Sequence, residues 1–508
     1  RTWIRFIRSA ETFGTSGQTS NLQGEEEESK RLDEIAEDLA ANDPLFDEER
    51  ETYAALFPTA LPKEPPFSLL IDDFSIIAHL HLVRGLAYYA SRAFTRAQQG
   101  DLVAGTFAPI PGIEDYLDTR LGLGRCEYLQ IEPAEGKPTY ACFAGLREDE
   151  EALRVLLQRM ADNDNSVWFH PYMGLRDAWE CGLMLKERSG GDVQILAPLP
   201  YITEQTNDKV WLTEVTKLAL GESYAMRAVG ARSVSEAVAK LRAIAEGVEK
   251  VSLKLANSAT GMGTGIFEAA KIREMDSETL LAFVEDWCKE KEWDADHDPP
   301  LSVEVWETDV LASPSTQLWI PPVSEGPPVL EGVFDQLFQP DEDHVFLGSI
   351  KSQLPQPLQD ELAQTSLKLG RIFQRLGYLG RCSFDTIYCG TSLDDATLKY
   401  VECNGRWGGT STPMTLMTRL FGDFRARPYL AGSMHSECLV GVSFDDFVRT
   451  LDDILYDAET GEGWAVVYNI GCLAPSGKID VITLGEDLAQ ASKRQTTFVE
   501  LVTERFGG

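Results

Sequence analysis

Two carboxylates and an amide fall at matching positions of two short apolar segments near residue 400. Asp385 lies in the segment 382–388, and Glu402 lies in the segment 398–403, which runs on to Asn404. Each segment has the length and composition of a β-strand, and the turn-forming residues between them predict a hairpin. Because side chains alternate along a strand, Glu402 and Asn404 share one face. The pattern predicts that all three side chains converge on one side of the hairpin.

A set of oxygen ligands of this kind is typical of a magnesium site. Carboxylate and amide oxygens suit Mg²⁺ (or Mn²⁺), which takes its remaining ligands from water and substrate phosphates. Arg406, two residues beyond Asn404, is placed to reach the same phosphates, and Arg381 shares a strand face with Asp385. An exposed acidic hairpin is the alternative. The ordered set of Asp385, Glu402, Asn404 and Arg406 favours the metal site.

A second set combines a lysine with a glycine-rich turn. Lys254 lies between two leucines in the predicted strand 251–255, so its side chain points to the opposite face from theirs. Gly261, Gly263 and Gly265 would let the turn that follows bring backbone N–H groups close to an anion. A solvated lysine beside an ordinary glycine turn fits these residues about equally well when they are considered alone.

The glycine turn does not match the common nucleotide-binding motifs. A Walker loop needs a lysine directly after its last glycine, and Ile266 stands there. The dinucleotide fingerprint needs a glycine three residues after Gly263, and Ile266 occupies that position as well. Protein kinases place the glycine loop before the lysine strand, which is the reverse of the order here.

The elements that would position these residues alternate along a long chain. The length of 508 residues and the hydrophobic content of 43% indicate a globular protein of about three or four domains. Strands are predicted at 67–71, 139–143, 166–169 and 193–196, with helices at 149–161 and 174–187 between them. This rhythm indicates a mainly parallel α/β sheet.

The predicted division of the chain follows these patterns. The segments are an acidic, solvated N-terminal extension (1–66), a parallel α/β domain (67–200), a subdomain with the lysine strand and glycine turn (201–300), a subdomain with the metal hairpin (301–434), and a small C-terminal α/β domain (435–508).

Composition limits the partners. With 46 basic and 81 acidic residues, the net charge of −35 argues against nucleic acid and against an anionic membrane surface. The nine cysteines form no C-x-x-C pair, which favours buried thiols in a reducing compartment. We therefore expect a cytoplasmic protein with small-molecule ligands and without a membrane span.

The order of these features resembles the ATP-grasp superfamily, and the details resemble the pheganomycin-type peptide ligases, which carry a pre-ATP-grasp domain. The resemblance covers roughly residues 205–485. The matching stretches are 303–309 (VEVWETD), 312–317 (ASPSTQ), 334–336 (FDQ), 345–348 (VFLG), 380–385 (GRCSFD) and 401–410 (VECNGRWGGT).

The resemblance implies a multidomain fold that is α/β overall and α+β in its core. ATP would lie between two antiparallel sheets, and a pre-ATP-grasp α/β domain would precede them. The residues implied to bind ATP are Lys209, Lys254, Gly261, Gly263 and Gly265 at the phosphates, and Glu304, Trp306, Glu307 and Asp309 at a hinge that holds adenine and ribose. Mg²⁺ would be held by Asp385, Glu402 and Asn404, and the catalytic cations would be Lys351, Arg381 and Arg406.

One position departs from the pattern of the family. Asn404-Gly405-Arg406 stands where Asn-Pro-Arg or Asn-Leu-Arg is more usual. Both polar residues are kept, so the departure concerns the rigidity of the loop and not the binding of metal.

The reaction implied by the resemblance is ligation. A carboxylate would attack the γ-phosphorus of ATP, and an amine would then displace phosphate from the acyl phosphate. The expected substrates are a small-molecule carboxylate and an amine or peptide, in peptide or specialised-metabolite biosynthesis. The oligomeric state is left open, and a homodimer is one alternative. A kinase, a thiol or carboxyphosphate ligase of the same fold, and a nucleotide-binding regulatory protein remain alternatives.

Overall fold

The chain is built on three β-sheets. The computed structural model describes residues 22–62, 67–77, 85–256, 258, 263–339 and 342–507. Within these ranges a five-stranded sheet is followed by a four-stranded and a nine-stranded sheet. The strands are β1 Ser68–Ile71, β2 Leu102–Gly105, β3 Glu127–Gln130, β4 Ser166–Pro171, β5 Asp192–Ile195, β6 Ala228–Ala231, β7 Lys250–Lys254, β8 Thr264–Glu268, β9 Leu301–Trp306, β10 Val310–Ala312, β11 Pro314–Ile320, β12 Val329–Gln339, β13 Glu342–Lys351, β14 Gly380–Cys389, β15 Thr397–Asn404, β16 Tyr429–His435, β17 Ala465–Tyr468 and β18 Lys478–Leu484.

Helices cover these sheets and connect them. The α-helices are α1 Leu22–Asn42, α2 Leu45–Thr52, α3 Ile113–Asp115, α4 Cys142–Glu148, α5 Glu150–Ala161, α6 Arg176–Ser189, α7 Pro200–Thr206, α8 Lys209–Leu220, α9 Val234–Ile244, α10 Ala269–Glu274, α11 Ser277–Glu290, α12 Gln356–Arg375, α13 Ser411–Phe421, α14 Phe444–Thr450, α15 Leu473–Ser476 and α16 Leu488–Phe506. Among the described residues, none of these helices combines the length and the apolar character that crossing a membrane requires.

The first sheet is parallel, with the strand order β3-β2-β1-β4-β5. Strands β1 and β2 are buried along their whole length, which reflects their continuous apolar sequences. The strand predicted at 139–143 is wrong, because this apolar run leads into helix α4, where Cys142 and Phe143 are fully buried. A short apolar run does not distinguish a buried strand from a buried helix. The helices predicted at 149–161 and 174–187 are present as α5 and α6.

The second sheet is antiparallel, in the order β6-β9-β7-β8, and its two faces differ in character. Val251 and Leu253 of β7 pack with Val303 of β9 in a separate apolar core under helices α9 to α11. The alternate residues of the same strands, including Ser252 and Lys254, lie on the opposite face. Period-two alternation therefore leaves this sheet with one polar face that can line a cleft.

The third sheet runs in the order β10-β14-β11-β12-β13-β16-β18-β17, with β15 paired to β14. Helix α12 packs against one face, where Phe373 contacts Phe384 of β14 with ring centroids 5.6 Å apart. The C-terminal strands β17 and β18 do not form a sheet of their own, because β18 pairs with β16 and extends the same sheet. The opposite face carries the polar residues of the metal hairpin.

The described part of the N-terminal segment is packed and not solvated. Helices α1 and α2 bury Leu32, Ala36 and Phe46 in the main core. Asp33 of α1 accepts hydrogen bonds from both Arg371 and Arg375 of α12, at 2.8–3.0 Å. The interpretation of this segment as a solvated extension is therefore wrong for these two helices. The many acidic residues of this segment led to the prediction of a solvated extension, although α1 also has an apolar face.

Candidate active site

The predicted metal hairpin forms as β14 and β15. Asp385 lies directly opposite Glu402, and Ser383 lies opposite Asn404, so these side chains share one face of the pair. The Asn404 side-chain amide donates a hydrogen bond of 2.9 Å to Asp385. This bond uses the nitrogen of Asn404, so its carbonyl oxygen remains available as a ligand.

The electrostatics of the hairpin favour a cation. Burial and the neighbouring charge of Glu402 raise the pKa of Asp385 to about 7. Burial alone would raise the pKa of Glu402 too, but Lys209 and Arg406 hold it below its usual value. Two adjacent carboxylates that resist ionising together would both be stabilised by a divalent ion. The donor set is therefore suitable for Mg²⁺, with Asp385, Glu402 and Asn404 as the residues that would hold it.

Lys209 joins the hairpin to the other lobe of the cleft. It begins helix α8, where the side chain of Asp208 caps the helix by accepting hydrogen bonds from the Val210 and Trp211 amides. Its ammonium group lies 3.1 Å from a Glu402 carboxylate oxygen. It also donates a hydrogen bond of 3.4 Å to the carbonyl of Ala256, just beyond β7. Lys209 therefore connects the nine-stranded sheet to the loop that follows the lysine strand.

Lys254 occupies the polar face of β7, as its position between leucines predicts. Its ammonium group lies 2.6 Å from Glu304 of β9, and the two side chains are 6% and 2% exposed. The Trp306 ring lies 5.4 Å from the same ammonium group. Glu304 was expected at the hinge, but it lies inside strand β9 and pairs with Lys254. A phosphate bound here would have to compete with Glu304 for the lysine.

Residues 307–309 connect the four-stranded sheet to the nine-stranded sheet, because they lie between β9 and β10. Glu307 forms ion pairs with Lys399 at 2.9 Å and with Arg227 at 3.5 Å. Asp309 is exposed, and the Gly390 amide donates to its backbone carbonyl. The Cys389 thiol lies near both acids, but burial raises its pKa to about 12. Burial thus disfavours the thiolate form of Cys389 in the metal-free protein.

The glycines of the turn have separate roles. Gly261 lies outside the described residues. The carbonyl of Gly263 accepts a 2.9 Å hydrogen bond from the Leu255 amide, and a Cβ atom at Gly263 would lie 2.4 Å from the Ser258 side chain. Gly265 lies within β8, where a Cβ atom would come within 2.3 Å of the Trp287 indole nitrogen. Gly265 therefore lies in strand β8 and not in the turn, and its small size serves the packing against Trp287.

Arg406 reaches the centre of the site, and the other two predicted cations do not. Arg406 donates a hydrogen bond to the side-chain oxygen of Asn207. Arg381 forms an ion pair with Glu331 and stacks on Trp407, 5.0 Å from the ring centroid. Arg381 is four residues from Asp385 on the same strand, which corresponds to about 13 Å.

Lys351 is exposed on β13. The register places it in one row with Phe334, Ser315 and Asp385. Three strand spacings separate Lys351 from Asp385, which corresponds to about 14 Å. The fold thus places Lys351 and Arg381 at the periphery of the site.

Gly405 is explained by a close approach between two elements. A Cβ atom at this position would lie 2.3 Å from the hydroxyl of Thr206 and 2.8 Å from the side-chain nitrogen of Asn207. The Gly405 amide also donates a hydrogen bond of 3.2 Å to Asn207. The loop is therefore held against the end of helix α7. A proline at this position would lack the amide hydrogen of this bond.

Several residues of the site carried no recognisable signal in the sequence. A shallow recess opens beside the hairpin, with about 310 Å³ of empty space that includes the adjoining solvent, and it is lined by Glu402, Cys403, Asn404, Arg406, Asn207, Lys209, Ser258, Ile76, Ile77 and Met173. Ile76, Ile77 and Met173 come from the loops after β1 and β4 of the parallel sheet. Asn207 directly precedes Asp208, the N-cap of helix α8, and no role was predicted for it from the sequence. The signal that could have placed Asn207 in the site was its proximity in the chain to Lys209, which was predicted to bind phosphate.

Solved structures of known proteins share the fold of this chain. The biotin carboxylase domain of the Hydrogenobacter thermophilus 2-oxoglutarate carboxylase, determined with Mg-ADP, ADP and bicarbonate, aligns with a TM-score of 0.51 and 12% identity, over 86% of this chain and 90% of that one. The Campylobacter jejuni biotin carboxylase, in a β-γ-ATP complex, aligns with a TM-score of 0.51 and 14% identity, over 85% and 90%. An N5-carboxyaminoimidazole ribonucleotide synthetase in an ADP complex aligns with a TM-score of 0.50 and 11% identity, over 87% and 98%.

Comparisons of sequence alone find no relative. No sequence model of a known protein family matches the chain, and no curated protein matches it. At identities of 11–14% the solved structures establish the fold, and the reaction has to be argued from the site. The predicted fold class is confirmed: the chain has the ATP-grasp fold, a mixed α/β architecture with two antiparallel sheets after a parallel one.

Proposed function

We propose that this protein is an ATP- and Mg²⁺-dependent ligase that joins a carboxylate to an amine through an acyl phosphate. The observation that carries the proposal is the convergence of Asp385, Glu402 and Asn404 with Lys209 and Arg406 around one pocket. Bound Mg²⁺ would neutralise part of the charge of the ATP phosphates and orient them. The resemblance to the pheganomycin-type ligases supports a role in peptide or specialised-metabolite biosynthesis.

Different side chains of the site would bind the two anions that react, the ATP phosphates and the substrate carboxylate. Lys209 lies at the start of α8. It would become available to phosphate oxygens when Glu402 binds Mg²⁺ instead of Lys209. Lys254 faces the same region from the other sheet, since its charge contributes to lowering the pKa of Glu402. Arg406 lines the same pocket and is held by Asn207, so that its remaining N–H groups can orient a substrate carboxylate. The chain therefore supplies positioning and electrostatics.

Ligation is favoured over phosphorylation of an alcohol by the groups present in the pocket. Among its described lining residues, Glu402 is the one carboxylate, and it is paired with Lys209. A kinase usually positions a base to accept the hydroxyl proton of its substrate. A carboxylate substrate is already ionised at neutral pH and needs no such base.

The decisive experiment measures product formation by the full chain. With ATP, Mg²⁺ and a panel of carboxylates that includes bicarbonate, we expect ADP and phosphate to appear in step with an amide when an amine is added. Hydroxylamine should trap the activated acyl group as a hydroxamate. A stable phosphorylated alcohol formed without phosphate release would show that the protein is a kinase.

A pair of matched variants links this activity to the hairpin. Glu402→Gln should lower Mg²⁺-dependent turnover by about 100-fold or more, because it removes a charged ligand and the partner of Lys209. Glu361→Gln is the control, because Glu361 lies on α12, which packs on the opposite face of the same sheet. Equal activity of both variants, with unchanged folding by circular dichroism, would contradict the assignment.

A further inference from the structure

The pocket beside the metal hairpin is lined by residues of two chemical kinds. Arg406, Lys209 and Asn404 are polar, and Ile76, Ile77 and Met173 are apolar. The empty space of about 310 Å³ beside the hairpin includes the open solvent of the cleft, so the pocket is a shallow recess. A small substituent can therefore contact its apolar residues while the rest of a ligand stays next to the cationic groups.

The apolar residues of the pocket lie on loops that follow strands of the parallel sheet. Asp73, directly after β1, accepts hydrogen bonds from the Ser75 amide at 2.8 Å and from the Phe143 amide at 3.0 Å. These bonds fix the turn that presents Ile76 and Ile77, and the Ile77 amide donates to the Phe74 carbonyl at 3.0 Å. The two isoleucines thus form a wall supported by the sheet.

The loop that carries Met173 is hydrogen-bonded to the loop after the metal hairpin. Met173 follows Tyr172, whose carbonyl accepts a 3.2 Å hydrogen bond from the amide of Trp407, the residue after Arg406. This bond joins the loop after β4 to the loop after the metal hairpin. Met173 is 3% exposed and Ile77 is 9% exposed, whereas Ile76 retains 41% exposure at the pocket. The hydrogen bond therefore keeps the loop of Met173 next to the loop of Arg406.

The strand order adds a second reason to expect a ligand here. In the order β3-β2-β1-β4-β5, the connections reverse direction between β1 and β4. In open parallel sheets, ligands bind in the crevice beyond the carboxyl ends of the strands at such a reversal. Ile76, Ile77 and Met173 lie directly beyond the carboxyl ends of β1 and β4.

We propose that this pocket selects the carboxylate substrate, and that it takes a carboxylate with a small, branched apolar substituent. The carboxylate would lie at Arg406, and the substituent would pack on Ile76, Ile77 and Met173. This inference rests on the proposed ligase function, because it names the class of substrate for the same site. A polar substituent of equal size would lose its hydrogen bonds to water at this wall without gaining new ones.

The test uses two isosteric probes, 4-methylpentanoate and succinamate, whose chains end in an isopropyl and an amide group. In the presence of ADP and Mg²⁺, calorimetry on the full chain should show about tenfold tighter binding of 4-methylpentanoate. With ATP and hydroxylamine, kcat/KM for hydroxamate formation should show the same preference. Equal affinity for the two probes, or tighter binding of succinamate, would overturn the assignment of the pocket.

Two variants locate the preference. Ile76→Asn should reduce the preference about tenfold, and it is expected to fold because the side chain is 41% exposed. Leu45→Asn is the matched control, with 42% exposure on helix α2 away from the pocket, and it should keep the full preference. An equal change in both variants would also overturn the assignment.

The two readouts separate this inference from the proposed function. Selective binding of 4-methylpentanoate without any hydroxamate would support the pocket and contradict the ligase. Hydroxamate formed equally well from both probes would support the ligase and contradict the pocket. Failure of both probes to bind or react would count against the assignment of the pocket, and the wider carboxylate panel would still decide the reaction.

Discussion

The two antiparallel sheets each present a glutamate paired with a lysine at the cleft, but the pairs are built differently. Lys254 and Glu304 lie on neighbouring strands of one sheet, are 6% and 2% exposed, and approach to 2.6 Å. Glu402 pairs across two elements with Lys209 at 3.1 Å and keeps 31% exposure. Asp385 lies beside Glu402 as a second carboxylate. The Lys254–Glu304 pair is closed, that is, shielded from solvent, whereas Glu402 is accessible enough to exchange Lys209 for a metal ion.

This difference indicates separate roles for the four-stranded and the nine-stranded sheet. A buried pair on adjacent strands is strongly destabilising to break, because the remaining charge stays in a poorly solvated environment. A more exposed pair beside an excess carboxylate can be rearranged by a cation at lower cost. We therefore expect changes at Lys254 to affect folding and nucleotide binding together. Changes at the hairpin should separate stability from activity.

Breaking the closed pair should have the largest effect. Lys254→Met leaves the Glu304 carboxylate buried without its partner and should lower the free energy of unfolding by about 3–5 kcal/mol, measured by urea denaturation. The double variant Lys254→Met/Glu304→Gln should recover most of this loss, because the buried charge is also removed. A double variant no more stable than the single one would show that packing, and not charge, dominates at this pair.

Nucleotide binding by the double variant tests the second duty of Lys254. The affinity for ATP should fall much more than the affinity for adenosine, since the lost interaction is ionic and directed at phosphates. Equal losses for the two ligands in calorimetry would mean that Lys254 serves the stability of the sheet alone.

A change in the loop of the hairpin should have an intermediate effect. Gly405→Ala places a methyl group 2.3 Å from the Thr206 hydroxyl and should cost about 1–3 kcal/mol of stability in urea denaturation. Gly408→Ala is the matched control, since a Cβ atom there would meet its nearest neighbour at 3.9 Å. Similar losses in both variants would contradict the close packing of the loop on α7.

Asp385→Asn should move stability and activity in opposite directions. In the folded, metal-free protein the pKa of Asp385 is raised to about 7, so the folded state binds more protons than the unfolded state between about pH 4 and pH 7. Wild-type stability should therefore fall over this range as the pH rises. The variant cannot ionise at this position and should be more stable than wild type near pH 8, by at most about 4 kcal/mol for a shift of this size.

The measurement is urea denaturation in a chelator at about pH 4 and about pH 8, together with a turnover assay in Mg²⁺. At the lower pH the variant should lose its advantage, because the wild-type carboxyl is then protonated. Turnover should be lost at all pH values, since a charged metal ligand is missing. A variant less stable than wild type near pH 8 would contradict the raised pKa.

The smallest effect is expected at the periphery of the site. Lys351→Met should change kcat/KM by less than about threefold, because the side chain is solvent-exposed and about 14 Å from Asp385 along the sheet. Arg406→Met should lower it by about 100-fold under the same assay. A comparable loss in both variants would show that Lys351 reaches the phosphates in the nucleotide-bound state.

Single strands, and strands paired with the next strand in the chain, could be predicted from the sequence. The hairpin β14–β15 and the strand of Lys254 follow from alternation of apolar and polar side chains, which depends on residues a few positions apart. The same reasoning failed at Cys142 and Phe143, since a short apolar run suits a helix as well as a strand. It also misread Gly265, because the need for a glycine there comes from Trp287, a residue of a different helix.

The sequence by itself therefore determined the donor set of the hairpin, the polar face of β7 and, through the resemblance, the class of fold. Only the tertiary structure decided that Lys254 pairs with Glu304, that Lys209 reaches Glu402, and that the loops after β1 and β4 close the pocket. Lys209 and Glu402, like the loops of the pocket, are distant in the chain. Their contacts depend on how sheets and helices pack as whole units, and no local periodicity encodes that packing.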